Sequence, residues 1–387
     1  MDTLGQAIAA LRKGRGWSQD DLAAALREVS GRASMNREEV SRWENDRRSP
    51  TPYWLAHLAA ALGVPVTALR AATPGPAPET SLALRAAHEW LVTEPPQSAE
   101  SRSGRRIGGD LAVRVQARVV HLRHLDDELS GLDLAPLVVR EYAATRRLVD
   151  QGSYNAPTGR SLLASLAELG QVTGWVLSDA RLHAQAQAHY LDGFAVAQET
   201  GDPGLAANLL SCLAYQWTNL GYADDASLLA ATAVKGAEGR ATPTVRALLG
   251  ERLAYACAHR GDTTATQRAL DRVDDLFAAR TVGDGDPEWT YWLTRDEITV
   301  MAARCWTRLG DPRRAAPLLA DVLTRYNRDQ VREQALYWSF LAEAHLNAGE
   351  RAAAADVLKT AARYAAATNS ARANQRIANL RGAVPGA

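Results

Sequence analysis

An all-α chain in two parts is what these 387 residues predict: a bundle of five short helices at the N-terminus, then an α-solenoid of paired helices. Three observations predict it. Capping residues and apolar spacing define two short helices between Trp17 and Pro50. From Leu82 nearly to the end, helical periodicity continues with few alternating β-branched stretches. In the second half, turn motifs recur at intervals near those of helical repeat arrays. A chain this long also calls for more than one domain. The expected division is residues 1–72 for the first domain, 73–81 for a linker, 82–151 for connecting helices, 152–369 for the repeats and 370–387 for a tail.

In the first domain, Ser18 is a good N-cap, and Asp20 and Asp21 follow where carboxylates complement the positive end of the helix dipole. Leu22, Ala23 and Leu26 supply an apolar stripe. Asn36 with Glu39 three residues on matches a capping box, so a second helix should begin there. On it Val40 and Trp43 turn inward, leaving Arg37, Glu38, Ser41 and Arg42 outward, the layout of a DNA-reading helix. Thr51–Pro52 starts a further helix with Leu55, Leu58, Ala59 and Leu62 as its buried face, ending at Gly63.

These residues resemble the Cro/repressor (XRE) helix-turn-helix family. Its pattern of SQ-x-x-LA, VSR-x-E-x-x-x-R-x-P and LA-x-ALGV runs from Ser18 to Val64. The resemblance implies double-stranded DNA as partner. Arg37, Glu38 and Arg42 would reach base edges, with Asn36 at the head of that helix and Ser41 supporting them. Gln19, Asn45, Arg47 and Arg48 would bind phosphates, contacts that fix register without reading sequence. One departure is REVSGRASM between Leu26 and Asn36, longer than the family's usual tight turn. It lengthens the first helix of the motif, the turn, or both.

Net charge is zero over the chain, and up to Arg48 nine basic residues face eight acidic ones. Non-specific DNA affinity grows with the phosphates neutralised, so a single copy should bind weakly. A homodimer would compensate, with two recognition helices about 34 Å apart on a palindromic operator. Lysine occurs only at 13, 235 and 359, an arginine bias of GC-rich genomes that gives the sequence an actinobacterial look. Cys212, Cys257 and Cys305 lack metal-ligand spacing and read as buried thiols in a reducing compartment. The most apolar run, Leu55 to Val66, is broken by His57, Gly63 and Pro65, so neither export nor a membrane partner is expected. A cytoplasmic, nucleoid-associated protein follows.

The repeats align on Arg181, Gly221, Gly261, Gly310 and Gly349, at intervals of 40, 40, 49 and 39 residues. Seven positions before each stand Gly174, Ala214, Ala254, Ala303 and Ala342. Five after stand Ala186, Ala226, Thr266, Ala315 and Ala354. Small residues in phase mean helices in close approach, and the pattern is similar to tetratricopeptide (TPR) repeats, though longer per unit. In-phase positions on the first helix of each pair should form rows along a concave face. One row reads Trp175, Tyr215, Tyr255, Arg304, Glu343; another reads Asp179, Asn219, His259, Arg308, Asn347. With Gln171, Asn208, Ser211 and Glu251 they outline a groove for a small molecule or peptide. The aromatic row could equally pack between helix pairs. The insertion TVGDGDPEWTYWL adds Trp289, Tyr291 and Trp292 as a lip.

Catalytic signatures are lacking: there is no G-x-S-x-G elbow and no phosphate-cradling glycine loop before a lysine. His121, His124 and Glu128 could share a helix face but read as a solvated stripe, and neither cofactor nor metal is expected. Two non-enzymatic readings stay open. One is a transcription regulator whose repeat domain senses a small molecule or peptide, or mediates dimerisation; this resembles peptide-responsive regulators of the Rgg and PlcR type. The other is a DNA-targeted adaptor whose repeats bind a partner protein.

Overall fold

The computed structural model describes residues 4–32, 35–45, 47–48, 50–64, 80–93, 101, 103–281, 285–327, 330–367 and 370–382. The chain forms two compact units, residues 1–77 and 78–387. The expected linker up to residue 79, and the segment from residue 65 where a fifth short helix would fall, lie outside the described residues.

The first unit contains α1 (Leu4–Gly14), α2 (Gln19–Ser30), α3 (Arg37–Glu44) and α4 (Pro52–Ala61). The full capping box is at α2: the Ser18 side chain accepts from the Asp21 N–H, and the Asp21 carboxylate accepts the Ser18 N–H at 2.7 Å. At α3 only half of the expected box forms. Asn36 accepts from the Glu39 N–H at 2.9 Å, whereas the Glu39 carboxylate turns to Arg42 and Arg48. The extra residues before Asn36 carry α2 on to Ser30, where Gly31 at φ +68° adopts the left-handed turn that ends it. Ile8, Leu22, Leu26, Val40, Trp43, Leu58 and Leu62 make the core.

In the second unit, α5 (Thr80–Val92) packs on α11, and α6 (Gly109–Glu128) and α7 (Gly131–Gln151) lie on the first helix of the repeats. Five helix pairs follow: α8/α9 (Ala156–Asp179, His183–Thr200), α10/α11 (Pro203–Leu220, Ala223–Ala237), α12/α13 (Pro243–His259, Thr263–Ala278), α14/α15 (Arg295–Arg308, Pro312–Arg325) and α16/α17 (Val331–Asn347, Arg351–Ala366). Starts are marked by polar caps, often followed by proline: Asn155, Asp202, Thr242 and Asp311 accept from backbone N–H groups, as does Thr294. The first helices α8, α10, α12, α14 and α16 contact one another in succession and form an inner row.

The in-phase turn positions share one backbone conformation. Gly221, Gly261, Gly310 and Gly349 have φ of +93°, +77°, +71° and +79°, and Arg181 reaches +65° without being glycine. All the small residues of the two predicted rows are buried; at Gly174 a Cβ would stand 2.5 Å from the Tyr190 ring, so glycine alone lets α9 approach.

Two local elements differ from expectation. Residues 371–381, assigned to a tail, form α18 (Ala371–Arg381) and pack against α16 and α17. Between α5 and α6, within the stretch expected to be connecting helices, Arg105–Arg106 pair in parallel with Gly152–Ser153. No helix among the described residues is long and apolar enough to cross a membrane.

Candidate nucleic-acid interface and ligand cavity

On the first unit, α3 turns Val40 and Trp43 into the core and holds Arg37, Glu38 and Arg42 in solvent. Asn36 caps the helix, Ser41 is half-buried, and Asn45 donates its amide to the Ser41 carbonyl at 2.8 Å. Arg42 lies 3.3 Å from Glu39 and 3.9 Å from Glu38, and Arg48 lies 2.9 Å from Glu39. These exposed pairs are weak and can exchange for DNA. Arg37 sits 3.9 Å from Asp20, while Arg47 has no ion-pair partner among the described residues.

Gln19 is held from below. Its amide donates to Glu44 at 2.8 Å, and Glu44 also receives two bonds from the buried Arg12 at 2.6 and 2.9 Å. Arg12 in turn donates to the Trp17 carbonyl at 2.6 Å. Charge-assisted bidentate bonds of this kind fix geometry, and here they lock α1, the start of α2 and the end of α3 together. Arg15 and Arg27 are spent on the carbonyls of Leu62 and Met35. The positive charge left for a ligand is therefore concentrated on and just after α3.

The second unit encloses a cavity of about 480 Å³, within the usual range for small-molecule sites. Of the predicted groove residues, Gln171, Trp175, Asn208, Tyr215 and Arg304 line it. Asp179, Ser211, Asn219, Glu251, Tyr255, His259, Arg308 and Asn347 are not in its wall. The second row falls one helical turn too far along. Asn219 and Asn347 donate their amides to the carbonyls of Tyr215 and Thr307, His259 packs on the Tyr255 ring at 4.5 Å, and Arg308 is exposed. Ser211 bonds the Asn208 carbonyl, and Glu251 is wholly buried.

The aromatic row packs between helix pairs, and two of its rings also reach the cavity. Trp175 stacks on Tyr215 at 5.6 Å, and Tyr215 meets Tyr255 at 5.3 Å, so the rings pack from one helix pair to the next. Trp175 and Tyr215 keep an edge on the cavity; Tyr255 does not. Tyr255 instead donates to Asn219 at 3.1 Å.

Two further phases contribute, nine and thirteen positions before each turn, and of these the sequence reading names only Asn208. Val172, Cys212, Arg252 and Met301 form the one row, and Asn208, Leu248, Glu297 and Leu336 the other; all eight line the cavity. With the row six positions before the turn they complete a face at helical spacing. Outside the repeat phase, Arg123, Asp126 and Asp127 come from α6, Trp289, Tyr291 and Trp292 from the insertion, and Arg372 from α18. The insertion is thus a wall of the cavity. Its Asp286 accepts a bond from Thr244, while Asp284 lies outside the described residues.

Charge in the cavity is uneven. Arg332 reaches Asp126 at 3.4 Å and Glu333 at 3.0 Å, Arg325 reaches Asp296 at 2.8 Å, and Tyr291 donates to Asp127 at 2.5 Å. Glu297 accepts from the hydroxyls of Tyr326 and Tyr337. Arg252, Arg304 and Arg372 make no ion pair with any described residue and gather around Tyr215 instead. Burial alone would raise the Tyr215 phenol, yet Arg304, Arg372 and Arg252 together pull it below its usual range. Burial lifts Asp126 to about 6 against the pull of Arg332, and lifts Glu251 to about 8.

Burial also pushes the Cys212 thiol up, and no histidine lies in the wall to activate it. Among the described residues no group of three or more His, Cys, Asp or Glu could hold a metal ion, and His124 is engaged with Glu288 at 3.0 Å.

Residues 8–69 match the family model described as Helix-turn-helix. The first unit is a helix-turn-helix domain. No curated protein matches the chain. Among solved structures, the chain is similar to Bacillus thuringiensis PlcR in its complex with the peptide PapR7 and DNA, at 12% identity over 100% of both chains and a TM-score of 0.26. A TM-score this low does not establish a common arrangement. The helix-turn-helix assignment rests on α2 and α3 and on the family match, and extends no further than the first unit.

Proposed function

We propose that this chain is a sequence-specific, non-enzymatic DNA-binding transcription regulator whose second unit senses an effector. The observation that carries the DNA half is α3, which commits Val40 and Trp43 to the core and leaves Arg37, Glu38 and Arg42 free to meet base edges. In this reading Gln19, Asn45, Arg47 and Arg48 take phosphates, and Asn36 and Ser41 support the head and flank of the reading helix. Two copies on a palindromic operator would double the small positive surface that one copy offers. The tetratricopeptide-like phase of the repeats supports a scaffold for recognition, and a cavity of about 480 Å³ favours a small molecule or peptide over a docked protein. The arginine-rich composition supports an actinobacterial source.

The test is a genome-wide map of binding sites followed by mobility shifts with purified protein. Enriched sites with two half-sites one helical turn apart, bound by a dimer in solution, are the expected result. A protein that binds all DNA alike, or that reaches DNA only within a stable heteromeric complex, would sink the regulator reading in favour of an adaptor.

A further inference from the structure

We propose that the cavity takes an organic anion, a carboxylate or phosphate on a planar apolar body, with its charged group on Arg252, Arg304 and Arg372. The inference deepens the effector reading above and rests on it. Its basis is an imbalance in the cavity wall. Every acidic side chain among the described wall residues already has a cation or a phenol as partner. The three arginines have no carboxylate partner among the described residues and meet only the Tyr215 phenol and ring.

Arg252 and Arg304 are only 5% and 6% exposed, and the Nε of each is buried without a hydrogen-bond partner. A buried cation without a counter-charge is costly, and an incoming anion would remove that cost. Around Tyr215 the geometry suits such a guest. Arg304 donates to the phenol oxygen at 2.7 Å, Arg372 donates to the same oxygen, and the Arg252 guanidinium lies 4.3 Å from the ring centre. Three guanidinium groups therefore converge on one spot. The apolar remainder of the guest would lie against Trp175, Trp292 and Leu248. The depressed phenol of Tyr215 fits the same account, since the three arginines around it favour its charged form. An anion would displace that charge and return the proton to Tyr215.

The experiment uses the full chain and four probes measured by calorimetry: naphthalene-2-carboxylate, naphthalene-2-carboxamide, 2-naphthyl phosphate and inorganic phosphate. The expected result is one site per chain for the carboxylate or the aryl phosphate, about ten-fold or more tighter than for the amide. Which of the two binds better decides between an organic acid and a phosphate ester. R372Q, at a half-exposed position, should weaken the acid by a similar factor and leave the amide unchanged. Difference absorbance at 295 nm, with the probe's own absorption subtracted, should fall on binding, and Y215F should lose that signal while still binding the acid. Equal affinity for acid and amide, or no binding by any of the four probes, overturns the anion site. An operator mobility shift separates this from the effector reading. Acid binding without change in operator affinity supports the anion site and removes the sensory role, whereas an operator response to amide and acid alike does the reverse.

Discussion

Arg42 stands on the solvent face of α3 with Glu39 at 3.3 Å and Glu38 at 3.9 Å, both contacts loose enough to give way to a base. Arg42→Ala should cost about 1 to 3 kcal/mol on the cognate operator and relax preference at one base pair. Equal losses on cognate and scrambled DNA in a mobility shift would remove Arg42 from base reading. Glu251 gives a prediction in pH. Burial lifts its carboxyl from 4.5 to about 8, so between those values the folded chain holds a proton that the unfolded chain has released. Stability from this group is complete below 4.5 and is lost as pH rises toward 8. Each unit of displacement is worth about 1.4 kcal/mol, so E251Q should visibly flatten the fall in stability measured by urea titration across this window. An unchanged slope would show that Glu251 is ionised in the fold. Val40 and Trp43 were legible in the sequence because helix spacing alone assigns them inward. Arg252 was not, because a guanidinium placed among Trp175, Tyr215 and Trp292 depends on two other helices and the insertion.

Among the elements, the repeat turns were the most legible, since one backbone geometry recurs wherever the pattern placed a turn. Arg181 shows why. It occupies the glycine position of its unit and takes the left-handed conformation at φ +65°, which costs a residue with a Cβ about 1 to 2 kcal/mol. R181A loses the side chain and keeps the strain; R181G loses both. The glycine variant should therefore be more stable than the alanine variant by roughly 1 kcal/mol in thermal or urea melts. Identical stabilities would mean that the turn relaxes when the side chain is cut. The helix α18 escaped the sequence reading because its buried face is only Ala373 and Ile377 amid polar residues, and Arg376 anchors it through Ser339 and Glu343. The short pairing of residues 105–106 with 152–153 is backbone to backbone across a long separation, and leaves no mark in side-chain periodicity.

At the scale of the second unit, the two ends of the array meet. Arg332 at the start of α16 bonds Asp126 on α6, 206 positions away, and Glu288 and Tyr291 of the insertion reach Arg123 and Asp127 on the same helix. No local pattern could announce this clasp, since each partner reads separately as an ordinary charged helix residue. It adds a wall to the concave face, drawing α6 and the insertion into the cavity lining. Arg332→Ala would leave Asp126 buried without its cation and should destabilise the unit by about 3 to 5 kcal/mol. A melting temperature equal to that of the parent would show the clasp to be open in solution. The two-part organisation was legible from composition and capping, but the choice of lining residues was not, because it follows from curvature that only the assembled repeats possess.

The clasp also changes how the array should come apart. Helix pairs that touch only their neighbours melt as a one-dimensional chain, fraying from whichever end is weakest. Joining α16 to α6 makes the loss of the last pairs cost a contact with the first, so fraying from that end is opposed by the whole ring. The unit then behaves as a single cooperative block, and amide hydrogens in α16 should exchange on the same timescale as those in α10 at the centre.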